Sequence, residues 1–361
     1  MKRYAIALGL IVWGALQALS AQEKRYEIER DMPLFLDSIK SELTYPLAWG
    51  NSEITDFDTW RSTARAKVID LMLAPPPRAT DYDMKILDSE KRDGYTAYKI
   101  EFNLTRYSRV PAYLLVPDGE GRHPAVVALH DHGAHYTIGK EKMIRPFGVS
   151  DETLADADKW VDKLYEGQYV GDFLARNGYV VLSVDALFWG ERGRKEGPDG
   201  NKFANVAGNF MMLGRNMSAW MTFEDMAAAE FLASLPEVDA ARVGCIGLSM
   251  GAYRSWMLAA LSPVISAGVA VCWMVTTDVQ LSWEWGRESG GFANNLIAVR
   301  NYLDYPHIAS LACPGAMCFI NGDSDKLFPA HAVRDAFATM RAVWESQGAG
   351  SRLVTELLPM G

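Results

Sequence analysis

The chain has 361 residues, of which 49% are hydrophobic and 22% are charged. This composition is typical of a folded protein and excludes an intrinsically disordered chain. The formal net charge of −9 excludes binding that is driven by attraction to nucleic acid or to anionic lipid. The length allows one large α/β domain with additions, or two domains.

The first 21 residues predict a secretory signal peptide. A basic start (residues 1–3) precedes an apolar run (4–19), and small residues precede a cleavage site after Ala21. The apolar run is shorter than the ~20 residues that a membrane-spanning helix prefers, although an uncleaved anchor is the alternative. We therefore expect a secreted or periplasmic protein with no stable membrane insertion after cleavage.

The four cysteines predict neither a metal site nor an obligatory disulfide. They could pair in three ways in an oxidising compartment, but no C-x-x-C spacing is present. Three of them fall in predicted buried strands, where a free cysteine acts as a small apolar side chain. The four residues are Cys245, Cys272, Cys313 and Cys318.

Residues 22–77 predict an N-terminal helical extension. The segment is charged and helix-like, and three consecutive prolines (75–77) close it. Short alternating runs then indicate an antiparallel start to a sheet, with a turn at Asp93-Gly94. The candidate strands of this start are Met84–Leu87, Tyr95–Phe102 and Val110–Val116.

Beyond this start, apolar strands alternate with helical stretches such as Thr222–Leu235. The pattern predicts a mostly parallel sheet with helices on both faces, in a domain that spans residues 78–361. Ligands of such a sheet bind beyond the carboxyl ends of its strands. The candidate strands are Ala125–Leu129, Tyr179–Val184, Val243–Ile246, Ala267–Trp273, Ala316–Ile320 and Leu353–Leu358.

The stretch from Gly247 to Gly251 matches the pattern G-x-S-x-G. A predicted strand precedes it, and a helical stretch, Ala252–Leu261, follows. This context is that of a nucleophile elbow, a strained turn that projects a serine hydroxyl above the sheet. Glycines are needed there because side chains would collide with neighbouring backbone. We therefore predict Ser249 as a nucleophile, with a turn that a serine merely caps as the alternative.

Four motifs follow one another along the chain, and together they resemble the α/β-hydrolase superfamily. They are His130-Asp-His-Gly, Asp185-Ala-Leu-Phe-Trp-Gly-Glu-Arg, Gly247-Leu-Ser-Met-Gly and Gly322-Asp-Ser-Asp-Lys-Leu-Phe-Pro. The similarity is to the dienelactone-hydrolase-like and acetyl-xylan-esterase-like branch, and it runs from about Arg109 to the end. It implies an α/β-hydrolase fold, and it is less specific for the substrate.

The resemblance implies that Asp325 is the acid of a Ser-His-Asp triad. Asp325 follows a predicted strand and comes after the nucleophile, which fits the chain order of this fold. Related enzymes carry the acid four residues before a proline, which favours Asp325 over Asp323. Asp278 is the alternative, because some relatives take their acid from the preceding strand.

The histidine that this mechanism requires is not found in the pattern. A serine nucleophile needs a neighbouring imidazole to remove its proton, and in relatives that histidine follows the last strand. Only His331 follows Asp325, at a predicted helix start where a solvated histidine is usual. The resemblance places the histidine just past Gly361, so we expect a sequence that stops short of its base. A catalytically inactive relative is the other interpretation.

The loop His130-Asp131-His132-Gly133 follows a predicted strand. In relatives, a loop at this place supplies one backbone N–H to the oxyanion hole, and the residue after the serine, here Met250, supplies the other. The resemblance therefore implies an oxyanion hole from these residues. Their histidine side chains could orient the loop, touch the substrate or be structural.

Two long segments are predicted to wall the substrate cleft, the insertion from Tyr136 to Trp160 and the connection before the strand at Ala316. Asp185 is expected to tie down the elbow by hydrogen bonds. The expected pocket side chains are Trp189, Arg192, Arg254 and Trp283, and a uronic acid carboxylate could be bound by Arg192, Arg194 or Arg254.

The histidines also permit a different class of enzyme. His130-x-His132-x-x-His135 resembles the H-x-H-x-D-H ligand set of metallo-β-lactamase-like hydrolases, and imidazoles at such spacing can share a metal. However, Ala134 stands where the aspartate is expected, and the later histidines lack a ligand context. A metal-dependent hydrolase is therefore the alternative, and we expect no metal or organic cofactor.

The sequence as a whole predicts a secreted serine esterase that acts on acetyl or methyl esters. By resemblance, the substrate is a small-molecule or oligosaccharide ester, such as an ester on a plant polysaccharide, and nucleic acid is not a partner. Peptidase, lactonase or dienelactone hydrolase activity would use the same residues. A carbohydrate-binding relative without catalytic activity remains a further alternative.

Overall fold

The computed structural model describes residues 26–285 and 291–360, so the predicted signal peptide lies outside it. The chain forms two compact units, which divide between Glu42 and Leu43. The domain boundary predicted at residue 77 lies inside the second unit. In the described part of the first unit, two short antiparallel strands precede a helix: β1 (Ile28–Glu29), β2 (Met32–Pro33) and α1 (Leu36–Ser41).

The second unit contains one large sheet, in which the described residues form nine strands. Their order is β11-β10-β9-β8-β6-β7-β5-β4-β3. Strands β6 to β11 run parallel, whereas β3, β4 and β5 pair antiparallel. The strands are β3 (Lys85–Arg92), β4 (Tyr95–Thr105), β5 (Ser108–Pro117), β6 (His123–Leu129), β7 (Val180–Val184), β8 (Val238–Leu248), β9 (Ile265–Val271), β10 (Ala316–Gly322) and β11 (Leu353–Leu358).

Helices connect the strands, and several begin at a capping side chain that accepts a hydrogen bond from the first turn. Asp56, Ser150 and Asn216 are such caps. No helix in the described ranges combines the length and the apolar character needed to cross a membrane. The helices are α2 (Phe57–Leu71), α3 (Asp151–Leu164), α4 (Val170–Arg176), α5 (Phe203–Met212), α6 (Met217–Ser234), α7 (Met250–Leu261), α8 (Thr277–Gln280), α9 (Tyr305–Ala309) and α10 (Ala330–Ser346).

The main hydrophobic core lies where α6, α7 and α10 pack against the sheet. Helix α7 is buried along its whole length, which is unusual for a helix at a protein surface and places its first turn inside the molecule. Every residue of β7 is buried too, as expected of a parallel strand covered on both faces. These features confirm the predicted α/β-hydrolase architecture with an antiparallel start.

Two strand boundaries differ from the prediction for local reasons. Strand β8 begins at Val238, earlier than the predicted Val243, because His123 of β6 already pairs with Val238. Strand β9 ends at Val271, before the predicted Trp273, because Cys272 adopts a φ of 58° that no strand can accommodate. Cys272 therefore lies in a turn at the carboxyl edge of the sheet.

The strand order places a crevice between β6 and β8. The chain passes from β6 to β7 on one side and then crosses back to β8 on the other, so β6 is the switch point of the topology. Ligands of open α/β sheets bind at such a point, outside the carboxyl ends of the strands. The loops that leave β6 and β8 there begin with His130 and Ser249.

Candidate active site

Ser249 lies on the turn between β8 and α7, in a strained conformation. Its φ of 55° and ψ of −119° are costly for a residue with a side chain. The Ser249 N–H donates a hydrogen bond to the Val271 carbonyl oxygen, 2.8 Å away, which fixes the turn to β9. Such strain persists only where the surrounding structure enforces it, and it is typical of functional sites.

The two glycines of the motif are required by the close approach of backbone. A Cβ added to Gly247 would lie 2.7 Å from the Cα of Gly251 and closer still to its carbonyl group. A Cβ added to Gly251 would lie 2.8 Å from the carbonyl carbon of Leu129 and 3.0 Å from the oxygen of His130. Gly251 therefore allows the elbow to contact the end of β6.

Ser249 is partly exposed at the wall of a cleft of about 360 Å³, which we call the nucleophile cleft. The loop after β6 forms the opposite wall, and the connection after β9 and the turn after β10 complete it. The lining residues are His132, Gly133, Ala134, Ser249, Met250, Trp273, Gly291, Ala293, Asn294, Leu327 and Phe328. Three of the four motifs found separately in the sequence thus meet at one cleft, whereas the motif that begins at Asp185 does not line it.

The side chains of His130 and Asp131 are buried and anchor the loop after β6. The two ring nitrogens of His130 lie 2.8 Å from the Asp131 carbonyl oxygen and 3.0 Å from the Ala186 backbone nitrogen. The Asp131 carboxylate accepts hydrogen bonds from Trp160 and Tyr165. Both side chains are committed to structure, so neither is available to bind a ligand.

A buried lysine orients the next peptide group. The Lys142 ammonium donates to the carbonyl oxygens of Asp131 (3.1 Å) and His132 (3.3 Å), and Trp189 Nε1 also donates to the His132 carbonyl oxygen. Burial lowers the pKa of Lys142, and the Asp131 carboxylate opposes that shift. In a planar trans peptide the N–H points away from the preceding carbonyl group, so the Gly133 N–H points away from Lys142.

The space and the backbone conformation at position 133 allow only glycine. Its φ is 55°, and an added Cβ would lie 2.5 Å from the Trp160 ring and 2.7 Å from the Asp131 carboxylate. The Trp160 ring that excludes a side chain here is the same ring that hydrogen bonds to Asp131. Gly133 lines the nucleophile cleft, which makes its N–H a candidate oxyanion donor.

The His132 side chain lines the cleft as a neutral imidazole with a defined tautomer. Its Nδ1 accepts a hydrogen bond from the Ala134 N–H at 3.0 Å, so the ring proton lies on Nε2. Burial, with a smaller effect of the Lys142 ammonium, lowers the pKa of His132 to about 4. A neutral ring that carries its proton on Nε2 can donate to a carbonyl oxygen, but it cannot take the serine proton at that nitrogen.

Asp325 lies in the turn after β10, on the side of the nucleophile cleft that Leu327 and Phe328 form. Its carboxylate accepts the Leu327 N–H at 2.7 Å. Burial, with a smaller effect of the Asp325 carboxylate, raises the pKa of the Cys272 thiol, which follows β9. Asp278, the alternative acid, is exposed on the short helix α8.

The end of β11 lies against the turn after β10 (residues 323–325), which we call the acid turn after the role predicted for Asp325. The Asp323 N–H donates to the Leu358 carbonyl oxygen (2.8 Å), and the Ser324 N–H donates to the Met360 carbonyl oxygen (3.0 Å). His331 is exposed in the first turn of α10. In the described part of the chain, no histidine is hydrogen bonded to the Ser249 hydroxyl.

Comparisons with known proteins show the family of this chain. A model described as the Abhydrolase family matches residues 35–339. The chain belongs to the Abhydrolase family. A curated Bacillus subtilis (strain 168) relative that carries the name hydrolase YtaP is 27% identical over 286 residues, which cover 79% of this chain and 88% of that protein.

Solved structures share the Abhydrolase fold at low sequence identity. A Bacteroides fragilis NCTC 9343 protein that carries the name acetyl xylan esterase is 17% identical, with a TM-score of 0.66, covering 96% of this chain and 82% of that one. A glucuronoyl esterase from Solibacter usitatus is 15% identical, with a TM-score of 0.54 and coverage of 85% and 86%. These likenesses confirm the fold class that the motifs predicted.

The predicted alternative of a histidine metal site in this Abhydrolase chain is wrong. The His135 ring bonds to the Asp156 carboxylate, and the rings of His130 and His132 bond to backbone groups. Among the described residues, the carboxylates that come close enough to share an ion are those of Glu141, Asp185 and Glu191. The Lys140 ammonium already lies between them, at 2.7, 2.9 and 2.6 Å.

The predicted pocket arginines lie elsewhere. Arg192 is buried in a two-pronged ion pair with Glu224, and Arg254 is buried in a similar pair with Asp225. The prediction that Arg192 and Arg254 bind substrate in the pocket is therefore wrong, because each guanidinium group is already paired with a buried carboxylate. Asp185 binds Lys140 rather than the elbow.

The two predicted pocket tryptophans differ in position. Trp189 is buried behind His132, with ring centroids 5.0 Å apart, so it supports the cleft wall from behind. Trp283 is partly exposed and is not among the residues that line the nucleophile cleft. Residues missed by the sequence reasoning include Lys142, Trp160 and Cys272. The loop of residues 130–133, which we call the oxyanion loop after the role predicted for it, is held by Lys142 and Trp160, although neither belongs to a motif.

Proposed function

We propose that this Abhydrolase-family protein is a serine esterase in which Ser249 attacks the carbonyl carbon of a carboxylic ester. The observation that supports this most directly is the strained Ser249 at the wall of a cleft whose other wall is the anchored loop after β6. A merely structural turn would not need a costly backbone conformation at a partly exposed serine.

The oxyanion of the proposed tetrahedral intermediate would be bound by backbone N–H groups. Met250 is the first residue of α7, whose first-turn N–H groups have no partner within the helix and favour negative charge. The Gly133 N–H would be the second donor, and the His132 Nε2–H a third. Loss of one such donor typically reduces the rate ~10²–10³-fold.

The proposal requires an imidazole to take the Ser249 proton, held in orientation by Asp325. The imidazolium would pass this proton to the departing alcohol oxygen as the ester C–O bond breaks, which leaves the acyl group on Ser249. The hydrogen bonds of Leu358 and Met360 to the acid turn bring the end of β11 next to the turn that carries Asp325. His132 does not suit this role, because its Nε2 carries a proton. Water would then release the acid from the acyl-enzyme, again with the imidazole as base.

The substrate of the proposed reaction is an acetyl or methyl ester carried by a plant polysaccharide or oligosaccharide. The signal-like first 21 residues support an exported enzyme that meets polymeric substrates. The names of the structural neighbours, acetyl xylan esterase and glucuronoyl esterase, support an ester on a glycan. No step of the proposed mechanism needs a metal or an organic cofactor.

Acyl transfer to Ser249 can be tested while a base is supplied from solution. The protein would be mixed with 4-nitrophenyl acetate in the presence of imidazole, and the intact mass would be followed by mass spectrometry. We expect one acetyl group per chain, on Ser249, and none in Ser249→Ala, which controls for acetylation by imidazole itself. Equal acetylation of both proteins would refute Ser249 as the nucleophile.

A further inference from the structure

A second cleft, of about 560 Å³, lies beside the nucleophile cleft, and we call it the lateral cleft. Its lining residues are His135, Tyr136, Thr137, Ile138, Glu152, Thr153, Asp156, Phe188, Gly190, Gly193, Arg194 and Pro198. The nucleophile cleft is lined by residues 132–134 and the lateral cleft by residues 135–138, so one continuous segment separates the two. The two clefts are therefore neighbours along this segment.

Tyr136 lines the lateral cleft next to His132 of the nucleophile cleft, and its position is fixed. Its carbonyl oxygen accepts the Gly190 N–H at 3.0 Å, and a Cβ added to Gly200 would lie 2.9 Å from its ring. The ring packs edge-on against Phe188 on one side and against His132 on the other. A rigid aromatic surface of this kind binds an apolar ligand face with little loss of conformational entropy.

The polar groups of the lateral cleft are also ordered before any ligand binds. The Asp156 carboxylate lies 2.8 and 3.0 Å from His135 Nε2 and accepts the Thr137 hydroxyl at 2.7 Å. The His135 ring is stacked on Trp160, with centroids 4.5 Å apart and planes at 8°. Trp160 in turn donates to Asp131, so the lateral cleft and the oxyanion loop share one support.

We propose that the lateral cleft binds a neutral sugar unit of the same substrate whose ester lies over Ser249. This inference deepens the proposed esterase function and rests on it. A pyranose ring has an apolar C–H face and a rim of hydroxyl groups, which suits the partly exposed Tyr136 ring combined with the acceptors Glu152 and Asp156. Phe188 is buried and supports the Tyr136 ring edge-on.

The charges of the lateral cleft favour a neutral sugar over a uronic acid. Two carboxylates, Glu152 and Asp156, face one guanidinium group. That group, on Arg194, already lies 3.4 Å from Glu196 and 3.9 Å from Asp199. The carboxylates of Glu152 and Asp156 would repel a sugar carboxylate, and Arg194 is already paired with acidic side chains of its own loop. Sugar hydroxyl groups, in contrast, can donate hydrogen bonds to both carboxylates.

Binding would be measured by isothermal titration calorimetry of the full chain carrying Ser249→Ala, so that no turnover interferes. The probes are xylotetraose, which is neutral, and an oligogalacturonate of the same length, which is acidic. Glu152→Gln, made on that background, removes a carboxylate of the lateral cleft. Asp151→Asn is its matched control, because Asp151 lies in the same first turn of α3 but does not line the cleft.

We expect saturable binding of xylotetraose that Glu152→Gln weakens about fivefold and that Asp151→Asn leaves unchanged, with weaker binding of the oligogalacturonate. The inference is overturned by absence of saturable xylotetraose binding, by preference for the oligogalacturonate, or by equal effects of the two variants. Acetylation of Ser249 without sugar binding would refute this inference alone. Sugar binding at the lateral cleft without acetylation would refute the esterase and leave the sugar site standing.

Discussion

Replacement of Gly251 by alanine tests the contact between the elbow and the end of β6. The added Cβ would lie 2.8 Å from the Leu129 carbonyl carbon and closer still to the Leu129 oxygen, whereas ordinary Cβ contacts begin near 3.4 Å. The elbow and β6 must therefore separate by roughly 1 Å, and a misplacement of this size typically costs ~10²-fold in rate. Overpacking of this kind also costs about 1–3 kcal/mol of stability.

The assay is the rate at which a fluorophosphonate modifies Ser249 in the presence of imidazole, followed by intact mass, together with urea unfolding. Gly208→Ala is the matched control, because Gly208 lies in α5 with nothing within 4 Å of an added Cβ. That change should leave the labelling rate unaltered and stabilise the protein by about 0.5–1 kcal/mol. If Gly251→Ala were labelled as fast as wild type, the inferred coupling between elbow and oxyanion loop would be wrong.

Three further changes follow from the site. Lys142→Met leaves the buried Asp131 carboxylate without its cation, so we expect the free energy of unfolding, measured in urea, to fall by about 3 kcal/mol. An unchanged unfolding midpoint would contradict the role of Lys142 in holding the loop after β6. His132 is neutral when folded, with a pKa lowered to about 4, but takes up a proton when unfolded below its ordinary value of 6.5. His132 therefore lowers the free energy of unfolding as the pH falls from 6.5 towards 4. Replacement His132→Gln should reduce the stability lost between about pH 7 and about pH 5. An identical loss in both proteins would contradict the buried, neutral state of His132. Asp325→Asn should slow imidazole-assisted labelling of Ser249 at least about tenfold, whereas Asp323→Asn should not; the reverse order would reassign the acid.

The parts of the site that sequence reasoning predicted are those with local physical requirements. A strained turn between a strand and a helix needs glycines two residues either side of Ser249, and the G-x-S-x-G pattern shows this requirement within five consecutive residues. The strands at the carboxyl edge are short apolar runs, so their ends could be located to within a few residues. The parallel order then brought the loops after β6, β8 and β10 together.

The parts that could not be predicted depend on partners distant in the chain. The sequence predicts only that Asp131 lies in a loop, whereas in the structure its carboxylate accepts a hydrogen bond from Tyr165, 34 positions away. Arg192 and Arg254 read as pocket cations until the partners Glu224 and Asp225 on α6 are known. A signal for these ion pairs is present in the sequence, because the adjacent acidic residues Glu224 and Asp225 lie in the middle of the mostly apolar helix α6.

The central claim is that the hydroxyl of Ser249 is the reactive group, and peptide mapping after fluorophosphonate treatment with imidazole tests it most directly. We predict that the phosphonate is found on the peptide that contains Ser249, and that Ser249→Ala takes up none under the same conditions. Modification of a different residue in wild type, or equal labelling of Ser249→Ala, would contradict the proposed mechanism.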